Sequence, residues 1–153
     1  QEAVPLGTGA MAAILGLDDA AVLKACSDCA GDEVVEAVNF NAPSQLVIAG
    51  HKPAVERAAA AAKQAGAKRA VMLPVSAPFH SSLLAPAAER LAEYMDRLSF
   101  GAPRIPMVNN VDVAVVDDPQ QIKQFVQETF FVALDVVVEF LHGLGDLIVR
   151  PRS

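Results

Sequence analysis

The sequence predicts an α/β protein whose first half alternates in the order strand, helix, strand, strand, helix, strand. Three observations support this order: an apolar run bounded by glycines, two helices with terminal signals, and two extended runs joined by a proline turn. A βαββαβ order is typical of the ferredoxin-like arrangement, in which a four-stranded antiparallel sheet carries two helices on one face. The arrangement by itself indicates no activity, because it hosts many unrelated functions.

The first strand and the first helix are indicated by the residues at their ends. Gly9 to Gly16 is a run of small apolar residues bounded by glycines, which predicts a buried strand. Asp18 and Asp19 then place acidic side chains in the first turn of a helix, where they interact favourably with its dipole. Gly31 is expected to close this helix, because glycine readily adopts the left-handed conformation of a C-terminal cap.

The central hairpin is indicated by period-two alternation around a turn. Val34 to Asn41 alternates as a strand does, and Gln45 to Gly50 forms a second strand after the turn Ala42-Pro43-Ser44. The short connection predicts antiparallel pairing. Lys52 to Ala65 then predicts an alanine-rich helix, and Ala67 to Leu73 predicts the fourth strand.

The chain changes character after this first half. A proline-punctuated loop over Pro74 to Ser82 leads into a helix predicted over Leu83 to Leu98. Met107 to Asn110 predicts a short strand. Asp117-Asp118-Pro119 predicts the start of a further helix, because acids and proline favour the first turn.

Composition and charge exclude several classes of function. The 153 residues are 53% hydrophobic and 20% charged, with a net charge of -6, which argues against a surface for nucleic acid or anionic membrane. The longest apolar stretch, Phe130 to Leu141, is broken by Asp135 and Glu139 and is shorter than the ~20 residues of a membrane span. Because the chain also opens without a signal peptide, we expect a cytoplasmic protein that binds neither nucleic acid nor membrane.

Cys26 and Cys29 form a C-x-x-C pair, a spacing that occurs in metal and redox sites. A second ligand pair at usable spacing is missing, and both cysteines lie inside the predicted first helix. A lone pair cannot complete the four-ligand shell of structural zinc. We therefore interpret both cysteines as reduced helix residues and predict no metal site.

His80 is the strongest candidate for chemistry. It lies in a loop just before a helix and is flanked by Phe79 and Ser81. A histidine so placed can take a proton from a nucleophile and return it to a leaving thiol. A surface or structural histidine is the commoner alternative, and His51 and His142 have still less local context to indicate a role.

Four segments of the chain carry a family resemblance: QEAVPLGTGAMAAILGLD, VNFNAPSQLVIAGHKPAVERA, LPVSAPFHSSLLAPAAERL and IPMVNNVDV. They resemble consecutive landmarks of bacterial malonyl-CoA:acyl-carrier-protein transacylases, in family order and spacing, from Gln1 to about Val113. The resemblance implies an acyltransferase of fatty acid biosynthesis. It would move malonyl from CoA through a serine ester to the phosphopantetheine thiol of acyl-carrier protein, with no further cofactor.

The resemblance also implies roles for individual residues. His80 corresponds to the family's general base, and Phe79 falls where the family restricts the acyl pocket, with loop packing as its alternative. Asn39 and Asn41 match a motif that faces the active-site cleft, where amides can bond the acyl chain or pantetheine. Turn structure is their alternative and the one favoured for Asn39. Gln127 aligns loosely with a glutamine whose backbone carbonyl orients the histidine, with a solvent-facing helix residue as its alternative.

Two parts are implied by the same resemblance. Residues 6–73 should form the ferredoxin-like small subdomain, and residues 74–153 an incomplete portion of an α/β-hydrolase-like acyltransferase domain whose C-terminal tail departs from the family. The family's serine elbow, Gly-His-Ser-x-Gly, does not occur in the sequence. We therefore expect the isolated chain to be inactive. A non-catalytic module that binds acyl-carrier protein or another partner is the alternative.

Overall fold

The elements follow the predicted order. The computed structural model describes residues 4–106, 108 and 113–126. The elements are β1 (Gly9–Leu15), α1 (Asp19–Ala30), β2 (Val35–Ala42), β3 (Gln45–His51), α2 (Lys52–Gln64), β4 (Arg69–Met72) and α3 (Ala85–Asp96), with a 3-10 turn (Ser82–Leu84) directly before α3. The βαββαβ order of the first half is therefore confirmed.

The four strands form one antiparallel sheet in the order β2-β3-β1-β4. β1 and β3 lie at the centre, with Gly9 opposite His51 at one end of their pairing. The hairpin between β2 and β3 turns at Pro43 and Ser44, and Ser44 has a φ of 60°. Proline in second position and a positive φ in third position are the features of a type II turn.

β4 is shorter than the sequence predicts. The expected strand began at Ala67, but the Ala67 amide donates to the carbonyl of Ala62 at 2.9 Å and so completes the end of α2. Gly66, with a φ of 108°, allows this closure. The strand therefore begins at Arg69, and the backbone bond from Leu73 to Met11 continues the pairing beyond its end.

Both helices pack on one face of the sheet. α1 and α2 contact each other and the strands beneath them. Alternate residues of β1, namely Ala10, Ala12 and Ile14, enter the main hydrophobic core on this face, as the period of a strand requires. Ala54 and Ala58 of α2 are fully buried against it, and their small side chains let the helix lie close to the sheet.

The opposite face of the sheet, called the second face below, carries a smaller apolar cluster. It consists of Met11, Val38, Val47 and Ala49, with Ala13 and Leu73 packed against them. Residues paired across strands share a face. Glu36, which pairs with Ala49, and Asn39, which pairs with Val47, therefore lie on the second face. Gly9, two residues before Met11 on β1, also lies on it.

α1 is capped at its start by a neighbouring residue and at its end by a glycine and a side chain of α2. Asp18 accepts a hydrogen bond from the Ala21 amide at 3.0 Å, and Gly31 ends the helix with a φ of 58°. The last turn of α1 holds no basic residue of its own. Arg57 of α2 supplies one, donating to the Cys29 carbonyl at 2.8 Å while pairing with Glu33 at 2.8 Å.

The structure describes only part of the chain beyond α3, so only some of the predictions there can be compared with it. Residues 119–126 are helical, as predicted, and Asp118 accepts hydrogen bonds from the Gln120 and Gln121 amides at 3.0 and 2.9 Å. Val108 forms an isolated bridge with Val115. The rest of the predicted strand at Met107 to Asn110, like the apolar stretch and the C-terminal tail, lies outside the described residues. Among the described residues, no helix combines the length and apolarity needed to cross a membrane.

Candidate functional site

The loop between β4 and α3 places His80 on a tight turn. The Ser81 amide donates to the Pro78 carbonyl at 3.3 Å and closes a four-residue turn. His80, in the third position, has a φ of 65°, whereas the φ of Phe79 is not positive, which is the pattern of a type II turn. The left-handed conformation costs a residue with a side chain about 1–2 kcal/mol. Such strain in a non-glycine residue is a physical reason to suspect a function.

Ser81 stabilises this turn from within. Its side chain is fully buried, and its Oγ donates to the Pro78 carbonyl at 2.7 Å. That carbonyl thus accepts both the N–H and the O–H of Ser81. The hydroxyl is satisfied and shielded from solvent, so it fixes the backbone and is not available as a nucleophile.

Pro78 anchors the loop on β1. It is among the fully buried side chains, and it occupies the space beside Gly9. A Cβ at Gly9 would lie 2.4 Å from the Pro78 Cδ and 2.5 Å from its Cγ. Glycine is therefore required at position 9 by space, because the proline ring takes the volume of any side chain there.

Ser82 anchors the loop on β2. Its amide donates to Glu36 Oε2 at 2.9 Å, and its Oγ donates to Glu36 Oε1 at 2.8 Å. Neither the 3-10 turn nor α3 receives a hydrogen bond from the side chain of its own N-cap residue. The Glu36 carboxylate thus caps this helical segment from a neighbouring strand, where its charge also favours the helix dipole.

The sequence-predicted site residues occupy different places. His80 is exposed, and Phe79 beside it is 45% exposed. Asn39 is half-buried on the second face, whereas Asn41 is exposed at a register shift of β2. Within the part of the chain that the structure describes, no hydrogen bond joins His80 to either asparagine. Gln127 lies outside the described residues.

A groove lies beside the first part of the loop. It encloses about 360 Å³ and is lined by Leu6, Gly7, Gly9, Ala10, Lys52, Glu56, Met72, Leu73, Val75 and Ser76. Lys52 and Glu56 form an ion pair of 4.0 Å on its wall. The groove reaches the loop through Val75 and Ser76, and neither Phe79 nor His80 lines it.

Comparison with known proteins decides the family. No protein-family model matches the chain. The malonyl CoA-acyl carrier protein transacylase of Escherichia coli (strain K12) is 64% identical over 113 residues, which are 74% of this chain and 37% of the relative. The protein of the same name from Salmonella typhimurium is 52% identical over 147 residues, or 95% of this chain and 48% of the relative.

The chain is homologous to part of the malonyl CoA-acyl carrier protein transacylases.

Solved structures of malonyl-transacylases agree with this assignment. One of them, a malonyl-transacylase in complex with a type II PKS acyl-carrier protein, superposes with a TM-score of 0.72 at 47% identity, covering 93% of this chain and 47% of that one. The chain thus spans less than half the length of these transacylases. The family predicted from the four sequence segments is confirmed, as is a mixed α/β fold with a small antiparallel sheet.

The other candidate histidines and cysteines were predicted from the sequence, and the described ones have structural roles. His51 Nδ1 accepts the Val34 amide at 2.9 Å, while the His51 amide donates back to the Val34 carbonyl at 2.8 Å. His51 therefore closes the end of the sheet, and His142 lies outside the described residues.

Within the described residues, no group of three or more His, Cys, Asp or Glu side chains could hold a metal ion.

Cys26 is chemically inert at neutral pH. Burial, with smaller contributions from the nearby Cys29 and Glu36, raises the pKa of its thiol from 9.0 to about 12. Both cysteines are free. Because the thiolate is the nucleophile and the metal ligand, the protonated Cys26 thiol serves as a small core side chain.

Glu36 and Gly9 are the residues that sequence reasoning missed. The alternation of β2 and the glycine that opens β1 were visible, but each acts on a loop that is distant along the chain. No local pattern links a strand glutamate to Ser82 or a strand glycine to Pro78. Their roles depend on the order of the strands in the sheet.

Proposed function

We propose that this chain provides the general base, His80, of an acyl-carrier-protein S-malonyltransferase of fatty acid biosynthesis. The observation that carries the proposal is the conformation of His80, an exposed imidazole on a strained turn that is anchored on both sides to the sheet. Strain of this kind persists only where surrounding contacts hold it, and it concentrates at sites of function. Family membership supplies the reaction.

The proposed chemistry has two proton-transfer steps. His80 takes the proton of a serine hydroxyl, the serine oxygen attacks the malonyl thioester carbonyl, and CoA leaves as the free thiol with that proton. His80 then takes the proton of the phosphopantetheine thiol, whose sulfur attacks the serine ester and restores the hydroxyl. The serine belongs to the family's Gly-His-Ser-x-Gly elbow, which is not in this sequence.

Three neighbouring residues are proposed to contact the acyl substrate. Phe79 is 45% exposed directly beside His80, so its ring is available to limit the size of the acyl group. Asn39 on the second face and Asn41 at a register shift of β2 offer amides to the acyl chain or pantetheine. A bulge is a common means of re-aiming a side chain beside an active site. Gln127 is proposed to orient the second N–H of His80.

The proposed architecture has two parts. The sheet order β2-β3-β1-β4 with both helices on one face supports a ferredoxin-like small subdomain over residues 6–73. Residues 74–153 are assigned to the larger α/β-hydrolase-like acyltransferase domain. Acyl-carrier protein and malonyl-CoA are the proposed partner and substrate, without a metal or other cofactor. A similar malonyl-transacylase has been solved with an acyl-carrier protein, which supports the partner.

The test is malonyl transfer from malonyl-CoA to acyl-carrier protein, followed by the mass of the carrier protein. The chain is assayed alone and mixed with a segment of the Escherichia coli relative that carries the serine elbow. We expect no turnover from the chain alone and turnover from the mixture. His80→Ala should lower this turnover by at least about 100-fold, as loss of a general base does. His142→Ala is the matched histidine control and should leave turnover unchanged. Equal turnover with His80→Ala would refute His80 as the base.

A carrier-protein binding module is the second candidate function. The absence of the serine elbow from the sequence favours it for the isolated chain. Titration of the chain with acyl-carrier protein discriminates the two functions. Saturable binding, together with a mixture that stays inactive, would support the module and contradict the transferase.

A further inference from the structure

The two anchors of the loop lie symmetrically around His80. Pro78, two residues before it, packs against Gly9 on β1. Ser82, two residues after it, gives both its amide and its hydroxyl to Glu36 on β2. β1 and β2 are not adjacent, since β3 lies between them. The loop therefore spans the width of three strands, with the strained residue between its two points of attachment.

Of the two anchors, the contact between Glu36 and Ser82 is the polar one. Each carboxylate oxygen accepts one hydrogen bond from Ser82, at 2.9 and 2.8 Å, so the two groups meet in a fixed, two-point geometry. Hydrogen bonds to an ionised group are shorter and stronger than neutral ones. The contact is half-buried, which limits competition from water. A left-handed histidine relaxes to ordinary backbone unless contacts of this kind hold it.

We propose that Glu36 is a positioning residue, which through Ser82 holds His80 in its left-handed conformation and so sets the direction of the imidazole. The inference rests on the proposed role of His80 as the general base. Glu36 itself touches no reacting atom. Its contribution is to fix the base before substrate arrives, because misplacement of a catalytic group by about 1 Å is costly in rate.

The first test uses backbone NMR of the full chain. The variants are Glu36→Ala, which removes both acceptors, and Glu36→Gln, whose amide can still accept from the Ser82 N–H and donate to its Oγ. Glu89→Ala, an exposed glutamate of α3, is the control. The readouts are the φ-dependent coupling of His80 and the exchange rate of the Ser82 amide, with the Ile48 amide of β3 as an internal reference.

Glu36→Ala should speed exchange of the Ser82 amide at least about tenfold and move the His80 coupling toward that of averaged backbone. Glu36→Gln should restore both, and Glu89→Ala should change neither. The Ile48 amide should stay protected throughout. An unaltered His80 coupling in Glu36→Ala would overturn the proposal, as would a loss of protection that affects Ile48 as much as Ser82.

Two further measurements keep the proposal testable. If Glu36→Ala does not fold, Ser82→Ala removes the hydroxyl bond alone, and an unchanged His80 coupling in that variant would overturn the proposal.

In the mixed transfer assay, Glu36→Ala should lower kcat about tenfold with KM unchanged, and Glu36→Gln should restore kcat. Transfer that is unaffected by His80→Ala would contradict the proposed function. The NMR readouts need no turnover, so the His80 coupling would still test whether Glu36 positions His80.

Discussion

His80 shows how a single backbone angle can mark a residue. Its φ is 65°, and two other described residues that are not glycine, Ser44 and Val113, also have a positive φ, of 60° and 53°. Ser44 occupies the same third position of a type II turn, where serine is an ordinary turn residue. The strain at His80 is held by the buried Ser81 hydroxyl and by Glu36, which makes the turn rigid at some cost in stability.

A pair of substitutions at His80 measures this cost. His80→Gly should be more stable than His80→Ala by about 1 kcal/mol, because glycine adopts positive φ without the clash that Cβ brings. Urea unfolding of both variants gives the difference in the free energy of unfolding. The opposite order, with the alanine variant more stable, would mean that the turn relaxes when the imidazole is removed.

The Cys26 thiol predicts a decline in stability at alkaline pH. Burial raises its pKa from 9.0 to about 12, so between these values the unfolded chain loses the proton while the folded chain keeps it. The free energy of unfolding should therefore fall as pH rises above 9, by at most about 1.4 kcal/mol per pH unit from this group. Below pH 9 the stabilisation is fully present.

Urea unfolding of the parent chain and of Cys26→Ala from about pH 8 to pH 11 tests this linkage. Other groups titrate in the same range, so the difference between the two chains is the relevant quantity. The parent should lose more stability than the variant. Parallel curves would show that the thiol ionises equally in both states.

At the scale of elements, two helix ends in the described part of the chain are completed by side chains from other elements. The segment that begins at Ser82 is capped by Glu36 of β2, and the C-terminal carbonyls of α1 are bonded by Arg57 of α2. In each case the charge has the sign that the helix end prefers. These two contacts join neighbouring elements and satisfy backbone groups at once.

Arg57→Met should destabilise the chain by about 1 kcal/mol. The loss comes from the hydrogen bonds to the Cys29 and Ala30 carbonyls, since the exposed ion pair with Glu33 contributes little by itself. Urea unfolding and exchange of amides in the last turn of α1 measure the effect. Lys24→Met is the control, because its ion pair with Asp28 is exposed and should be worth less than about 0.5 kcal/mol. Equal losses in both variants would contradict the capping role.

Local chemistry was enough to predict the elements but not the contacts between them. Asp18, Gly31 and the turn at Pro43 act on residues beside them, so the sequence around each one carries the whole signal. The start of β4 was misplaced because Ala67 has the character of a strand residue, whereas its amide completes the end of α2. The bonds of Glu36 to Ser82 join residues that only the sheet brings together.

At the scale of the whole molecule, the two faces of the sheet differ in how they are covered. The main core lies between the sheet and both helices, and its buried members run from Ala10 to Ala67. The smaller cluster on the second face includes Leu73, and the loop that carries His80 is fixed to that face at Gly9 and Glu36. The core that stabilises the sheet is thus independent of the loop, whereas the loop depends on the sheet.

A shortened chain of residues 1–73 tests this dependence. It retains every buried member of the main core, so it should fold cooperatively with the circular dichroism of a mixed α/β protein. It lacks the contacts of Pro78 and Ser82, so it should be less stable than the full chain by about 1–3 kcal/mol in urea. A shortened chain without cooperative unfolding would show that the later residues are part of the same folding unit.

The close approach of Pro78 to Gly9 also has a consequence for the order of folding. The contact closes a segment of roughly seventy residues. Forming it first would cost much chain entropy, whereas the hairpin and helices, once formed, shorten the effective distance between Gly9 and Pro78. It should therefore form late, with little of its native interaction present in the transition state. The residues around His80 would then be the last to acquire their native arrangement and among the first to open in local fluctuations of the native state.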